Sequence, residues 1–249
     1  AGAFIALGAI FATTVSAGSS TLPYGVARLL TGLVFTVGLI LVIVGGAELF
    51  TGNNLIIMAF TNGKVTWQAL LRNWVIVYLG NFVGSVATAV IMFLTRQYSF
   101  GNGSIGLAAL NIANSKVNLE FLQAIALGIM CNAMVCMAVW LCYSARSTTD
   151  KILAIILPIS GFVACGFEHS IANMYFIPLG LFIKQFAPAS FWESKALVDA
   201  GISMEKFANL TWQGFFVNNL LPVTIGNIIG GAVLVGLVYW FIFLKKWSK

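Results

Sequence analysis

The stretch Gly166-Phe167-Glu168-His169-Ser170-Ile171-Ala172-Asn173 decides how this chain is read. It holds the sole histidine of the sequence, beside a carboxylate, near the middle of an otherwise uncharged run between Lys151 and Lys184. That run is long enough to cross a membrane, for which ~20 apolar residues suffice. A charge at the bilayer centre costs about 2.5–3.5 kcal/mol on insertion scales, so an ionisable pair there faces a bundle interior or a water-filled path and marks a functional site. An echo stands earlier: Gly46-Ala47-Glu48-Leu49-Phe50-Thr51-Gly52-Asn53. Both copies read Gly-x-Glu with Asn five residues after the Glu, and the two Glu and the two Asn are each 120 positions apart.

Composition sets the class. Hydrophobic residues make up 60% of the chain and charged ones 8%, with a mean hydropathy of +0.97. A soluble domain carries about 25% charge, so this chain cannot cover a water-facing surface and is an integral membrane protein. Its long charge-free runs fit helices and not the alternating strands of a barrel. The net charge of +6 sits at span ends and in loops, where basic residues anchor and orient a membrane protein; nucleic acid is not an expected partner. Cys131, Cys136, Cys142 and Cys165 lie in apolar runs without a Cys-x-x-Cys pair and read as small hydrophobes, with no metal or cofactor expected. Ala1–Val15 has no basic region before it and reads as a first span with its native start trimmed, not as a signal peptide.

Six spans are expected: Ala1–Ala17, Leu29–Phe60, one between Arg72 and Arg96, one between Glu120 and Arg146, Ile152–Ile183, and Phe215–Leu244. The second and fifth exceed one straight crossing and carry Gly, polar and ionisable residues at their middles. Each is expected to break at mid-membrane, near Thr51 and near His169, which is tolerated only where the backbone is buried or lines a cavity. Glu48, Glu168, Asn53 and Asn173 are expected to be structural at the breaks, the carboxylates accepting from N–H groups left free at the half-helix starts.

The third and sixth spans match as well. Thr66-Trp67-Gln68 precedes Gly80-Asn81-Phe82-Val83-Gly84, and Thr211-Trp212-Gln213 precedes Gly226-Asn227-Ile228-Ile229-Gly230. Such Gly spacing lets helix backbones approach closely, and its recurrence behind the other repeated motifs indicates duplication. The expected organisation is a single transmembrane domain over residues 1–249 with repeats 1–95 and 119–244. Three spans per repeat is odd, so the second copy is inverted, with the site between two discontinuous helices.

The side shared by the termini carries Lys64, Arg72, Arg146, Lys151, Lys245, Lys246 and Lys249 in short loops and a tail. Arg28, Arg96, Lys116, Lys184, Lys195 and Lys206 lie opposite, over longer loops. That density puts the termini in the cytoplasm. Phe186–Leu210 is expected to be the only sizeable loop, facing outward.

Gly-Phe-Glu-His-Ser-Ile-Ala-Asn-Met (166–174) and Glu-Leu-Phe-Thr (48–51) resemble the signatures of the formate/nitrite transporter family. The likeness extends over essentially the whole chain. It includes Thr21-Leu22-Pro23-Tyr24-Gly25, Asn132-Ala133-Met134-Val135-Cys136 and Leu221-Pro222-Val223-Thr224-Ile225-Gly226-Asn227. Phe176-Ile177-Pro178-Leu179-Gly180 is more similar to the formate-channel branch than to the nitrite branch. Glu48 departs from the Asp of a formate channel but keeps the charge and matches Glu168.

The resemblance implies an aquaporin-like protomer of six helices, a homopentamer with one pore per subunit, and the inner membrane of a prokaryote as its site. It implies that Thr51 faces His169, that Asn132 lies near them, that Phe35, Leu39 and Phe162 form hydrophobic constrictions, and that Lys116 attracts anions at an outer vestibule. The expected function is a passive or proton-linked channel for small monovalent anions, chiefly formate. His169 would stabilise the anion as imidazolium or donate a proton to it, and an ordinary His pKa of ~6.5 makes either sensitive to pH. Nitrite or hydrosulfide is the alternative substrate. A water or glycerol channel is disfavoured by the lack of Asn-Pro-Ala, and an enzyme by the lack of any His-Glu-x-x-His or carboxylate cluster.

Overall fold

The structure, a computed structural model, describes residues 1–245. Lys246 and Lys249, counted above among the basic residues near the terminus, lie outside the described residues. The described residues are helical with no strand. The principal helices are α1 (Gly2–Ser16), α2 (Tyr24–Gly45), α3 (50–61, tightened by a 3₁₀ turn at Asn54–Ile56), α4 (Trp67–Leu94), α5 (Ser104–Val117), α6 (Phe121–Ser144), α7 (Thr148–Ala164), α8 (Ser170–Phe186) and α9 (Gly214–Leu244). Among the described residues α2, α4, α6 and α9 are each long and apolar enough to cross a membrane. Their outer faces are apolar: Val75, Ile76, Leu79 and Val83 of α4 are all more than half exposed, a surface that water would not tolerate and lipid would.

The repeated motifs have local causes. Thr66 and Thr211 are N-terminal caps, their hydroxyls accepting from the N–H of Ala69 at 3.2 Å and of Gly214 at 3.0 Å. Gly46 and Gly166 both take a left-handed φ, of 72° and 76°. Each closes its helix with the same six-to-one bond, Ala47 N–H to Val42 O at 2.9 Å and Phe167 N–H to Phe162 O at 3.0 Å. Leu49 and His169 then extend the chain with nearly equal angles, φ −112° and −113°, and a helix restarts at Phe50 and at Ser170.

Close approach is uneven between the Gly-Asn-x-x-Gly copies. A Cβ on Gly226 or Gly230 would come within 2.3 Å of Ile125 O or 2.1 Å of Ile129 O on α6, whereas one on Gly80 would meet nothing. The first copy makes its close contact through Gly84 alone, against Ala3.

One expectation needs correction. The connection after α4 carries α5, whose Ala109, Leu110 and Ala113 are buried. Phe186–Leu210 is therefore not the only sizeable connection. It is held down by buried Phe191, Leu197 and Phe207 and by the Lys184 ammonium, which donates to the carbonyls of Phe207 at 2.7 Å and Leu210 at 2.9 Å. The apolar face of α5, Ala109, Leu110, Ala113 and Val117, is short and made mostly of small residues, so it stands out less in the sequence than a span does.

Candidate functional site

The restarts at Phe50 and Ser170 leave backbone N–H groups without helical partners. Asn81 Oδ1 accepts from Phe50 N–H at 3.0 Å while Asn81 Nδ2 donates to Glu48 O at 3.0 Å. Asn227 repeats the clamp, accepting from Ser170 N–H at 2.9 Å and donating to Glu168 O at 2.9 Å. The expectation that the carboxylates take these N–H groups is corrected. A carboxylate only accepts, whereas an amide closes a free N–H and a free carbonyl at once.

The carboxylates instead hold side chains. Glu168 Oε2 accepts from Asn173 Nδ2 at 2.7 Å and Asn219 Nδ2 at 3.2 Å, and Asn173 also reaches Asn219 Oδ1 at 2.7 Å. In the first copy Asn53 Nδ2 donates to Glu48 Oε2 and to Asn73 Oδ1, the latter at 2.9 Å. The copies are not identical: Glu168 is buried whereas Glu48 is exposed. Glu168 Oε1 is ion-paired to Lys116 Nζ at 2.7 Å, with Lys116 also 5.5 Å from the centre of the Phe176 ring. Lys116 is thus a partly buried residue of α5 and not a loop lysine.

His169 caps α8. Its Nδ1 accepts from Ala172 N–H at 3.1 Å, and its Nε2 lies 3.0 Å from Thr51 Oγ1. With Nδ1 accepting, a neutral ring carries its proton on Nε2 and donates it to Thr51; this tautomer is inferred from the hydrogen-bond network. One face of the ring lies on Phe162, centroids 5.9 Å apart and planes at 23°. Phe162 meets Phe35 edge-on at 5.7 Å, and Phe35 stacks on Phe176 at 6.5 Å.

His169, Phe35, Phe162, Phe176, Lys116, Glu168 and Arg28 line one cavity of about 300 Å³. Arg28 donates to the carbonyls of Val163 and Ala164, to the latter at 3.1 Å, which places a cation on the negative end of α7. Leu39, Thr51 and Asn132 do not line this cavity. Leu39 is buried one turn further along α2. Asn132 is fully buried and stitches the two copies: its Nδ2 lies 3.2 Å from Thr51 O, 2.8 Å from Asn54 Oδ1 and 2.7 Å from Asn227 O. Sequence reasoning missed Asn73, Asn81, Asn219, Asn227 and Arg28 as site residues. A signal existed for the asparagines, since both copies carry Asn eight residues before the Asn of Gly-Asn-x-x-Gly; nothing singled out Arg28.

A model of the family described as Formate/nitrite transporter matches residues 1–241. The "Formate channel FocA" of Escherichia coli (strain K12) is 47% identical over 246 residues, 99% of this chain and 85% of that one. The "Formate channel FocA" of Haemophilus influenzae is 44% identical over 236 residues, 95% of this chain and 81% of that one. A solved structure titled "Pentameric formate channel with formate bound" superposes with a TM-score of 0.90 at 50% identity, covering 98% of this chain and 94% of that one.

Proposed function

The chain belongs to the formate/nitrite transporter family, and on that premise we propose that it is a channel for small monovalent anions, chiefly formate, and not an enzyme. It acts as a homopentamer in the inner membrane of a bacterium, with one path per subunit and cytoplasmic termini. We read residues 1–249 as a single domain of six spans, with 1–95 and 119–244 as inverted repeats. In this reading the second span is α2 with α3 and the fifth is α7 with α8, each broken at its glycine. The matched glycine closures and the matched Asn81 and Asn227 clamps support it. The orientation is supported by the fate of the basic residues on the other side: Arg28, Lys116 and Lys184 are all held by internal acceptors.

One observation carries the function: the Thr51–His169 contact joins the two restarts directly beneath a cavity lined by Arg28 and Lys116. An anion drawn in by Arg28 and Lys116 passes the aromatic collar of Phe35, Phe162 and Phe176 and meets a single ring proton, that on Nε2. It reaches that proton by taking the place of Thr51 Oγ1. A second ring proton has only Nδ1 to occupy, and Nδ1 is engaged by Ala172 N–H. Charging the ring is therefore tied to loosening the first turn of α8, and proton uptake and local movement become one event. Leu39, beyond the ring, forms the constriction on the far side, and Asn132 fixes the backbone of Thr51. Glu48, Asn53, Glu168 and Asn173 hold the restarts in place.

Flux into proteoliposomes, with formate, nitrite, hydrosulfide and chloride compared across pH, tests the reading. Formate flux that rises as pH falls is expected. Nitrite or hydrosulfide passing faster than formate would assign the other substrate, and water or glycerol flux without anion flux would remove the anion reading altogether.

A further inference from the structure

A second cavity, of about 450 Å³, lies away from the path just described. One wall is α3, from Gly52 through Ile56 and Ala59, and the other is Trp140 with Leu244 at the ends of α6 and α9. Asn62, Lys64 and Tyr143 stand at its rim. Trp140 anchors an aromatic cluster, 4.8 Å from Tyr239 and 6.3 Å from Phe243, the composition of a membrane–water boundary. The groove follows α3 from Gly52 to Asn62 at its C-terminal end, about 15 Å at 1.5 Å per residue, close to half of a ~30 Å hydrocarbon layer. It therefore runs from the membrane surface to the midplane, the length of one lipid leaflet.

We propose that this groove holds one phospholipid per subunit, with an acyl chain along Ile56, Ala59 and Leu244 and an anionic headgroup phosphate on Lys64. The proposal rests on the membrane topology given above, which sets Lys64 at the terminal-side surface. Lys64 is exposed and enters neither ion pair found among the described residues. Charge favours lipid over a neighbouring copy of the chain. Asp150, the carboxylate in the first turn of α7 on the terminal side, already accepts from the N–H groups of Arg146 and Ser147 at 3.1 and 3.0 Å. Asp150 of a second copy is thus already committed, whereas a lipid phosphate is free to meet Lys64. A basic pocket between helices on the cytoplasmic side is the chemistry that selects acidic headgroups.

Native mass spectrometry of the intact detergent-solubilised assembly, titrated with phosphatidylglycerol or phosphatidylcholine, reads the site. The wild type should prefer phosphatidylglycerol by about fivefold, as one lysine near an anionic surface implies. Lys64→Gln should remove the preference while leaving assembly and formate flux unchanged, and Ala59→Trp, which fills the groove, should lower the number of bound lipids. Equal binding of the two lipids by the wild type overturns the proposal, as does a preference that survives Lys64→Gln. Loss of assembly in Ala59→Trp with lipid count unchanged also overturns it, and gives the groove to a neighbouring subunit. The topology is read separately, in a Cys165→Ser background: Asn62→Cys and Ser147→Cys should react with an impermeant thiol reagent from one side and Asn118→Cys from the other. Lipid results that fail with this labelling intact count against the groove and not against the topology.

Discussion

Replacing His169 with Phe separates the ring from its protons. The phenyl ring keeps the stacking on Phe162, so the aromatic surface survives. Two hydrogen bonds do not. Losing the cap on Ala172 N–H costs about 1 kcal/mol, and leaving the buried Thr51 hydroxyl without its partner costs about 1–3 kcal/mol. A less stable start of α8, by about 2–4 kcal/mol in sum, is a structural effect and moves thermal unfolding only. The functional effect is distinct. A hydrogen bond to a charged group is worth about 1.5–3 kcal/mol, so its absence should slow formate flux roughly ten- to a hundredfold. The pH dependence should vanish, because His169 is the sole histidine of the sequence and a phenyl ring has no proton to exchange. The assay is stopped-flow formate flux in proteoliposomes between pH 5 and pH 8, set beside thermal unfolding of the same preparation. Thr51→Ala should weaken the same behaviour less. A His169→Phe protein that keeps the wild-type rate and pH profile would refute the reasoning and leave the histidine as a helix cap alone.

Other expectations follow from the same geometry. Phe162→Ala or Leu39→Ala should relax selectivity towards larger anions in the flux assay, since removing a large apolar side chain lowers the barrier to hydrated solutes; wild-type selectivity in both would make these residues packing only. Lys116→Met leaves the Glu168 carboxylate without its cation and should destabilise the protein by about 3–5 kcal/mol, measured by thermal unfolding in detergent. The double variant Lys116→Met, Glu168→Gln should recover most of that loss, and if it does not, the pair is not the cause. Asn227→Ala and Asn81→Ala each strip one restart of its amide clamp, costing about 1–3 kcal/mol for each buried group left unpaired. Losses of similar size are expected, and a silent Asn81→Ala would break the equivalence of the two copies.

The membrane class was legible in the sequence because a bilayer demands long uncharged runs, and composition reports them directly. The internal repetition was legible too, because Gly46 and Gly166 and the Glu and Asn after them act within a few residues of one another, where spacing is information. Helix α5 was not, since a short helix with one buried face needs no unbroken apolar run. The partners of the restarts were hidden for a related reason. Asn81 and Asn227 stand 33 and 59 residues beyond the carbonyls they clamp, and the carboxylates nearer in sequence were the natural expectation. Only packing shows that α4 and α9 deliver those amides to the breaks, and that α5 brings Lys116 to Glu168 but no cation to Glu48. The tautomer of His169 was likewise beyond the sequence. It follows from which backbone N–H happens to face Nδ1, and that is set by the turn of the chain in space, where hydrogen bonds choose among donors and acceptors by distance and angle and not by order along the chain.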